Sequence, residues 1–102
     1  MVFVGLKGNT RAFSPSHDMH YVYLLKSKKD SSIYIGCTND LKRRFAEHND
    51  KKNVSTKHKA PFQLVYYEAY KSQADAKHRE NMLKHFSGST IHLKKRIKNS
   101  LM

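Results

Sequence analysis

Two short runs of aromatic and β-branched residues, set six polar positions apart, constrain the fold of this chain more than any other feature. Met19–Leu25 is rich in Tyr, Val and Leu, and Ser32–Cys37 carries Ile33-Tyr34-Ile35 at its heart. Both compositions suit strands. The intervening Lys26–Ser31 is polar and closes with Asp30-Ser31, residues suited to a hairpin turn. The two runs therefore read as an antiparallel β-hairpin.

Downstream of the hairpin the pattern is one of helices around a single further strand. Thr38-Asn39-Asp40 is a cluster of helix-capping residues, with Thr38 taken as the cap. The helix then runs to about His48 or Asn49, with Leu41, Phe45 and His48 on one face. Positions 50–59 are polar and mostly basic, a loop, and Pro61 precedes a third strand over Phe62–Tyr70. Ser72-x-x-Asp75 resembles a capping box with Asp in place of Glu, opening a second helix to about Phe86. Gly88 is read as its stop, and Ser89 or Thr90 as the cap of a last short helix, Ile91–Leu101. The expected class is α+β in the order β-β-α-β-α-α: a three-stranded antiparallel sheet flanked by helices. The 102 residues fit a single core. That domain is expected over residues 19–102, with residues 1–18 as a flexible leader. The leader contains Gly5, Gly8, Asn9 and Ser14-Pro15-Ser16, and its apolar start is too short for a signal peptide.

Charge narrows the partners. Twenty Lys and Arg stand against eight Asp and Glu, a formal net charge of +12. A domain this basic attracts polyanions at long range, nucleic acid foremost, with strongly salt-dependent affinity. The expected partner is DNA, with RNA also open. Three basic stretches could follow a phosphate backbone: Lys26 with Lys28 and Lys29, Lys51–Lys59, and Lys94–Lys98. No run of about 18 apolar residues exists, so no membrane span is expected. The single cysteine, Cys37, excludes an internal disulfide and a Cys-x-x-Cys knuckle, and is read as a small core residue. That usage fits a reducing, cytoplasmic compartment. Seven histidines show no H-E-x-x-H spacing, which argues against zinc. A monomer is expected.

One carboxylate stands out on residue chemistry alone. Glu80 lies at i+4 from Ala76 and i−3 from Leu83, on the apolar stripe of the second helix. Carboxylates are rarely buried without a partner. That partner is either a metal ion or a salt bridge to Arg79, Arg44 or Lys84.

Tyr34-Ile35-Gly36 closes the second strand, with Tyr23 eleven positions earlier and Arg44 ten positions later. Gly36-x-Thr38-x-x-Leu41-x-x-Arg44-x-x-x-His48 continues the pattern, and Glu80 lies after the third strand. This constellation resembles the GIY-YIG nuclease family over about residues 20 to 100, and its small, stand-alone bacterial branch in particular. Tyr34-Ile35-Gly36 matches the second signature triplet as it stands. The first reads Tyr21-Val22-Tyr23 instead of Gly-Ile-Tyr, and keeps its final tyrosine. Related domains occur in excision-repair incision enzymes and intron homing endonucleases.

The resemblance implies a Mg²⁺- or Mn²⁺-dependent endonuclease that cleaves DNA phosphodiesters, in repair or recombination. It implies catalytic roles for Tyr23, Tyr34, Arg44, His48 and Glu80, with Glu80 the metal ligand. The tyrosines would flank the attacking water, Arg44 would grip phosphate, and His48 would take a proton or contact phosphate. Gly36 would leave space for phosphate, and Lys42, Arg43, Lys57 and Lys84 would bind the backbone. Tyrosine is also a common strand former, and Tyr21, Tyr66 and Tyr67 are read as packing or surface residues. The alternatives are a catalytically weak nucleic-acid-binding module of the same fold, or a protein-interaction domain whose binding ignores salt.

Overall fold

The computed structural model, which describes residues 18–50 and 56–102, puts the most buried strand at the centre of the sheet. β1 (His20–Ser27) pairs antiparallel with β2 (Ile33–Thr38) on one side and β3 (Phe62–Tyr70) on the other. Tyr21 through Leu25 are all buried because helices cover both faces of this strand. Val22 and Leu24 point to one face, where they meet Ala76 and Leu83 of α2 (Gln73–His85) and Leu93 of α3 (Ser87–Arg96). Tyr23 and Leu25 point to the other, with Phe62 and Ala60, under Leu41 and Phe45 of α1 (Leu41–Asn49). The β1/β3 register shifts between Leu24 and Leu25, leaving Val65 as the extra residue of a bulge.

The order β-β-α-β-α-α and the span of β3 are as expected, and the differences are local. β1 runs on to Ser27, whose buried hydroxyl organises the turn. It accepts from the Lys29 and Asp30 amides and donates to the Lys59 carbonyl at 2.6 Å. Asp40, not Thr38, caps α1: its carboxylate accepts from the Arg43 amide at 3.2 Å, while the Thr38 hydroxyl accepts from the Asp40 amide. Ser72 caps α2 by accepting from the Asp75 amide.

The last helix departs furthest. α2 stops at His85 because Phe86 is extended (φ −123°, ψ 103°), a conformation open to any residue, so no glycine is needed there. α3 then starts at Ser87, with Gly88 in its first turn, and ends at Arg96. Thr90 does not cap α3; its hydroxyl donates to the Leu83 carbonyl at 2.6 Å and satisfies the end of α2. Apart from Asp18, the expected leader lies outside the described residues, as do positions 51–55 of the basic loop. Among the described residues no helix is long and apolar enough to cross a membrane.

Candidate active site

Strand register brings the two tyrosines together. Tyr23 and Tyr34 lie on neighbouring strands and face α1, with ring centroids 6.3 Å apart. The ring of His48, from the last turn of α1, lies 4.8 Å from Tyr34 and 5.9 Å from Tyr23. Tyr23 is paired with Gly36 across the sheet, and its ring fills the space the glycine leaves. A Cβ on Gly36 would sit 2.5 Å from Tyr23 Cζ and closer still to its hydroxyl oxygen. The opening expected beside Gly36 is thus taken by Tyr23, and Gly36 itself is buried.

Hydrogen bonds then fix the cluster. Tyr23 Oη lies 3.0 Å from Nε2 of His48, and Nδ1 of His48 lies 2.9 Å from the hydroxyl of Thr56. His48 is fully buried, which lowers its pKa below the usual imidazole range, and the nearby Arg44 charge lowers it further. Burial pushes the Tyr23 phenol up to about 12, helped by Tyr34 and opposed by the nearby Arg44 guanidinium. Glu47 accepts from Arg44 at 3.1 Å and from Arg43 at 2.9 Å, so the Arg44 guanidinium is held in place on α1.

Glu80 sits behind β2 on the opposite helix layer, and its charge still reaches Tyr23 and Cys37, raising the pKa of each. Burial is the larger cause at Cys37 and keeps its thiol neutral, consistent with a half-buried packing residue. Glu80 is 8% exposed and is paired to Lys84 at 2.9 Å and Lys77 at 3.5 Å. Of the three salt bridges anticipated from sequence, the one to Lys84 is present. Arg44 is engaged by Glu47, and Arg79 by a second buried carboxylate, Glu68. Arg79 donates to Glu68 through Nε and Nη2 at 2.9 to 3.1 Å, and the Tyr66 and Tyr70 hydroxyls also donate to it. Burial pushes the Glu68 carboxyl up, but these donors outweigh it and hold the pKa below the ordinary value.

At the C-terminal end of β2 an open, polar cleft of about 390 Å³ joins the two layers. It is lined by Arg43 and Arg44 of α1, Lys77 of α2, and His20, Thr38 and Asn39. Tyr34 and Lys84 line a neighbouring groove between β2 and the α2–α3 pair. Lys42 and Lys57 are exposed, and Lys57 lies on the short 3-10 turn Lys57–Lys59. Thr56, Lys77 and the Glu68 network were not anticipated. Helical spacing gives Lys77 away, three positions before Glu80. Alternation gives Glu68 away, since Tyr66, Glu68 and Tyr70 share a face. Nothing in the sequence marks Thr56, which sits in a stretch dominated by charge.

Residues 19–87 match the family model described as the GIY-YIG catalytic domain. The chain is 39% identical to UPF0213 protein SSP2268 of Staphylococcus saprophyticus, over 69% of this chain and 85% of that protein. It is 44% identical to UPF0213 protein SH2523 of Staphylococcus haemolyticus, over 67% of this chain and 83% of the relative. The solution structure of UPF0213 protein BH0048 from Bacillus halodurans is 36% identical, covering 74% of this chain and 85% of that one, with a TM-score of 0.47.

Proposed function

The chain belongs to the GIY-YIG catalytic-domain family, and from that membership we propose that it is a divalent-metal-dependent endonuclease hydrolysing DNA phosphodiester bonds. The observation that carries this reading is the Tyr23 hydroxyl, held by the His48 imidazole at 3.0 Å with the Arg44 charge near enough to act on it. Arg44 borders the cleft and cannot lose its proton, so it is placed to grip a phosphate there. Tyr23 is a poor base by itself with a pKa of about 12. With neutral His48 behind it, Tyr23 takes the proton of the attacking water as it passes its own to Nε2. The hydroxide adds to phosphorus, and the bond to the leaving oxygen breaks. Arg44 steadies the extra negative charge, and half-buried Tyr34 flanks the same site.

The donor set suits a hard cation. Mg²⁺ commonly takes one or two carboxylates and fills its remaining positions with water and substrate phosphate. Glu80 is a nearly buried carboxylate whose ion partners are the flexible, solvent-reaching chains of Lys77 and Lys84, both displaceable. When bound, the ion supplies positive charge for the transition state and the leaving oxygen.

The test uses labelled single-stranded, duplex and branched DNA with Mg²⁺, Mn²⁺ or chelator. Cutting is expected only with metal and is expected to vanish in Glu80→Gln while DNA binding persists. Arg44→Ala should cut roughly a hundred- to a thousandfold more slowly. A Glu80→Gln protein as fast as the parent removes Glu80 from the metal site. Salt-sensitive binding with no cutting at all moves the binding-module reading ahead.

A further inference from the structure

The hydroxyl of Thr56 has no part in the chemistry above, yet it is 3% exposed and points at the one ring nitrogen of His48 that the tyrosine leaves free. A neutral imidazole carries one proton, and its partners decide which nitrogen holds it. Of the two hydroxyls that face the ring, the Tyr23 phenol is far more acidic than the Thr56 alcohol, so Tyr23 Oη is the donor, to Nε2 at 3.0 Å. Nε2 must then be bare, and Nδ1 must carry the ring proton. Thr56 Oγ1, 2.9 Å away, is the acceptor that makes this arrangement complete.

We propose that Thr56 is a positioning residue that holds His48 in its Nδ1–H tautomer, so that Nε2 stands ready for the Tyr23 proton. The inference rests on the nuclease reading of the Tyr23–His48 pair. The surroundings fix both partners. The Thr56 carbonyl accepts from the Lys59 amide at 3.0 Å and so anchors the 3-10 turn. Phe62 packs edge-on against the His48 ring at 5.8 Å. The groups facing the imidazole are Tyr23 of β1, Tyr34 of β2, Arg44 and Glu47 of α1, and Phe62 of β3. Of their charges, Arg44 disfavours a protonated ring and Glu47 favours it. Among the described residues Thr56 alone is hydrogen-bonded to Nδ1.

The arrangement also serves the charged state. Once His48 has taken the tyrosine proton, Nδ1–H still donates to Thr56 and the new Nε2–H donates to the Tyr23 oxygen. Removing the Thr56 hydroxyl favours the opposite tautomer, in which Nε2 donates to Tyr23 and the tyrosine proton has nowhere to go.

The ¹⁵N shifts of the His48 ring nitrogens report the tautomer directly, and are read on the full chain beside kcat and KM for a labelled oligonucleotide with Mg²⁺. In the parent, Nδ1 is expected protonated and Nε2 bare. Thr56→Val is expected to reverse this and to lower kcat roughly a hundredfold, the weight of a general acid–base group, with KM unchanged. Thr56→Ser is expected to keep both the tautomer and the rate. A parent with Nε2 protonated overturns the proposal, as does a Thr56→Val protein that cuts at the parent rate. If Thr56→Val does not fold, the parent spectrum still decides. Because the spectrum needs no cleavage, an inactive parent refutes the nuclease reading and leaves the tautomer assignment to stand or fall separately.

Discussion

At the scale of the residue, the site turns on a methyl group that is absent. Gly36 does not need an unusual backbone angle; it needs to have no Cβ, because the Tyr23 ring crosses the place where one would be. Tyr23 cannot retreat easily, since its hydroxyl is tied to His48 and its ring is buried. Gly36→Ala is therefore expected to cost about 1–3 kcal/mol of stability by overpacking. Because the ring must swing off His48 to make room, cleavage should fall by more than the folded fraction does. Urea denaturation and kcat on the same preparation check this, and a variant that matches the parent in both would mean that the ring has room. The tyrosine–arginine–glutamate pattern was legible through its resemblance to a family; strand pairing and α1 bring Tyr23, Tyr34 and His48 together, whereas Glu80 lies in the other helix layer. The need of Glu80 for a partner was legible too, but not which partner. Lys77 and Lys84 answer it through ordinary helical neighbours at i−3 and i+4. Thr56 was not legible, because its contact with His48 depends on where a basic loop returns to the sheet.

At the scale of the element, one turn of α2 sends adjacent residues to different tasks. Arg79 and Glu80 are neighbours in sequence but lie about 100° apart around the helix. Adjacency in the chain allows them to pair; the helix instead sends Arg79 over β3 to Glu68 and Glu80 toward β2. Glu68 lies on the same strand face as Tyr66 and Tyr70, and three donors saturate its carboxylate in a buried setting. Taking away the cation leaves the charge to two phenols. Arg79→Ala should then lower unfolding stability by about 1–3 kcal/mol, read as a shift in the denaturation midpoint. Metal-dependent cutting by the folded fraction should be unchanged, because this network belongs to the scaffold. An Arg79→Ala protein of full stability would mean that Glu68 is held by its tyrosines alone. The same scale explains the displaced start of α3. Leu93 lies in the core, and the break before its helix comes from an extended phenylalanine, a conformation that leaves no mark on composition.

At the scale of the molecule, charge and topology act together. With β1 central and helices on both faces, the two layers meet in a cleft at the end of the edge strand β2, where Arg44 from one layer and Lys77 from the other share a wall. The chain as a whole carries a surplus of twelve positive charges. Binding of DNA should therefore weaken steeply with salt, the logarithm of affinity falling by roughly 0.9 for each phosphate neutralised per unit of log salt. Exposed lysines away from the chemistry contribute to that slope and not to the reaction. Lys57→Ala should flatten the slope by about one unit and weaken different sequences equally, while the rate of the bound complex stays as it was. Arg44→Ala should show the reverse weighting, a large loss of rate with a modest change in slope, because its partner is the phosphate being cut. Titrations of one labelled duplex at several salt concentrations, with the parent and these two variants, separate the two effects. An affinity indifferent to salt would detach the basic surface from nucleic acid altogether and turn attention to a protein partner.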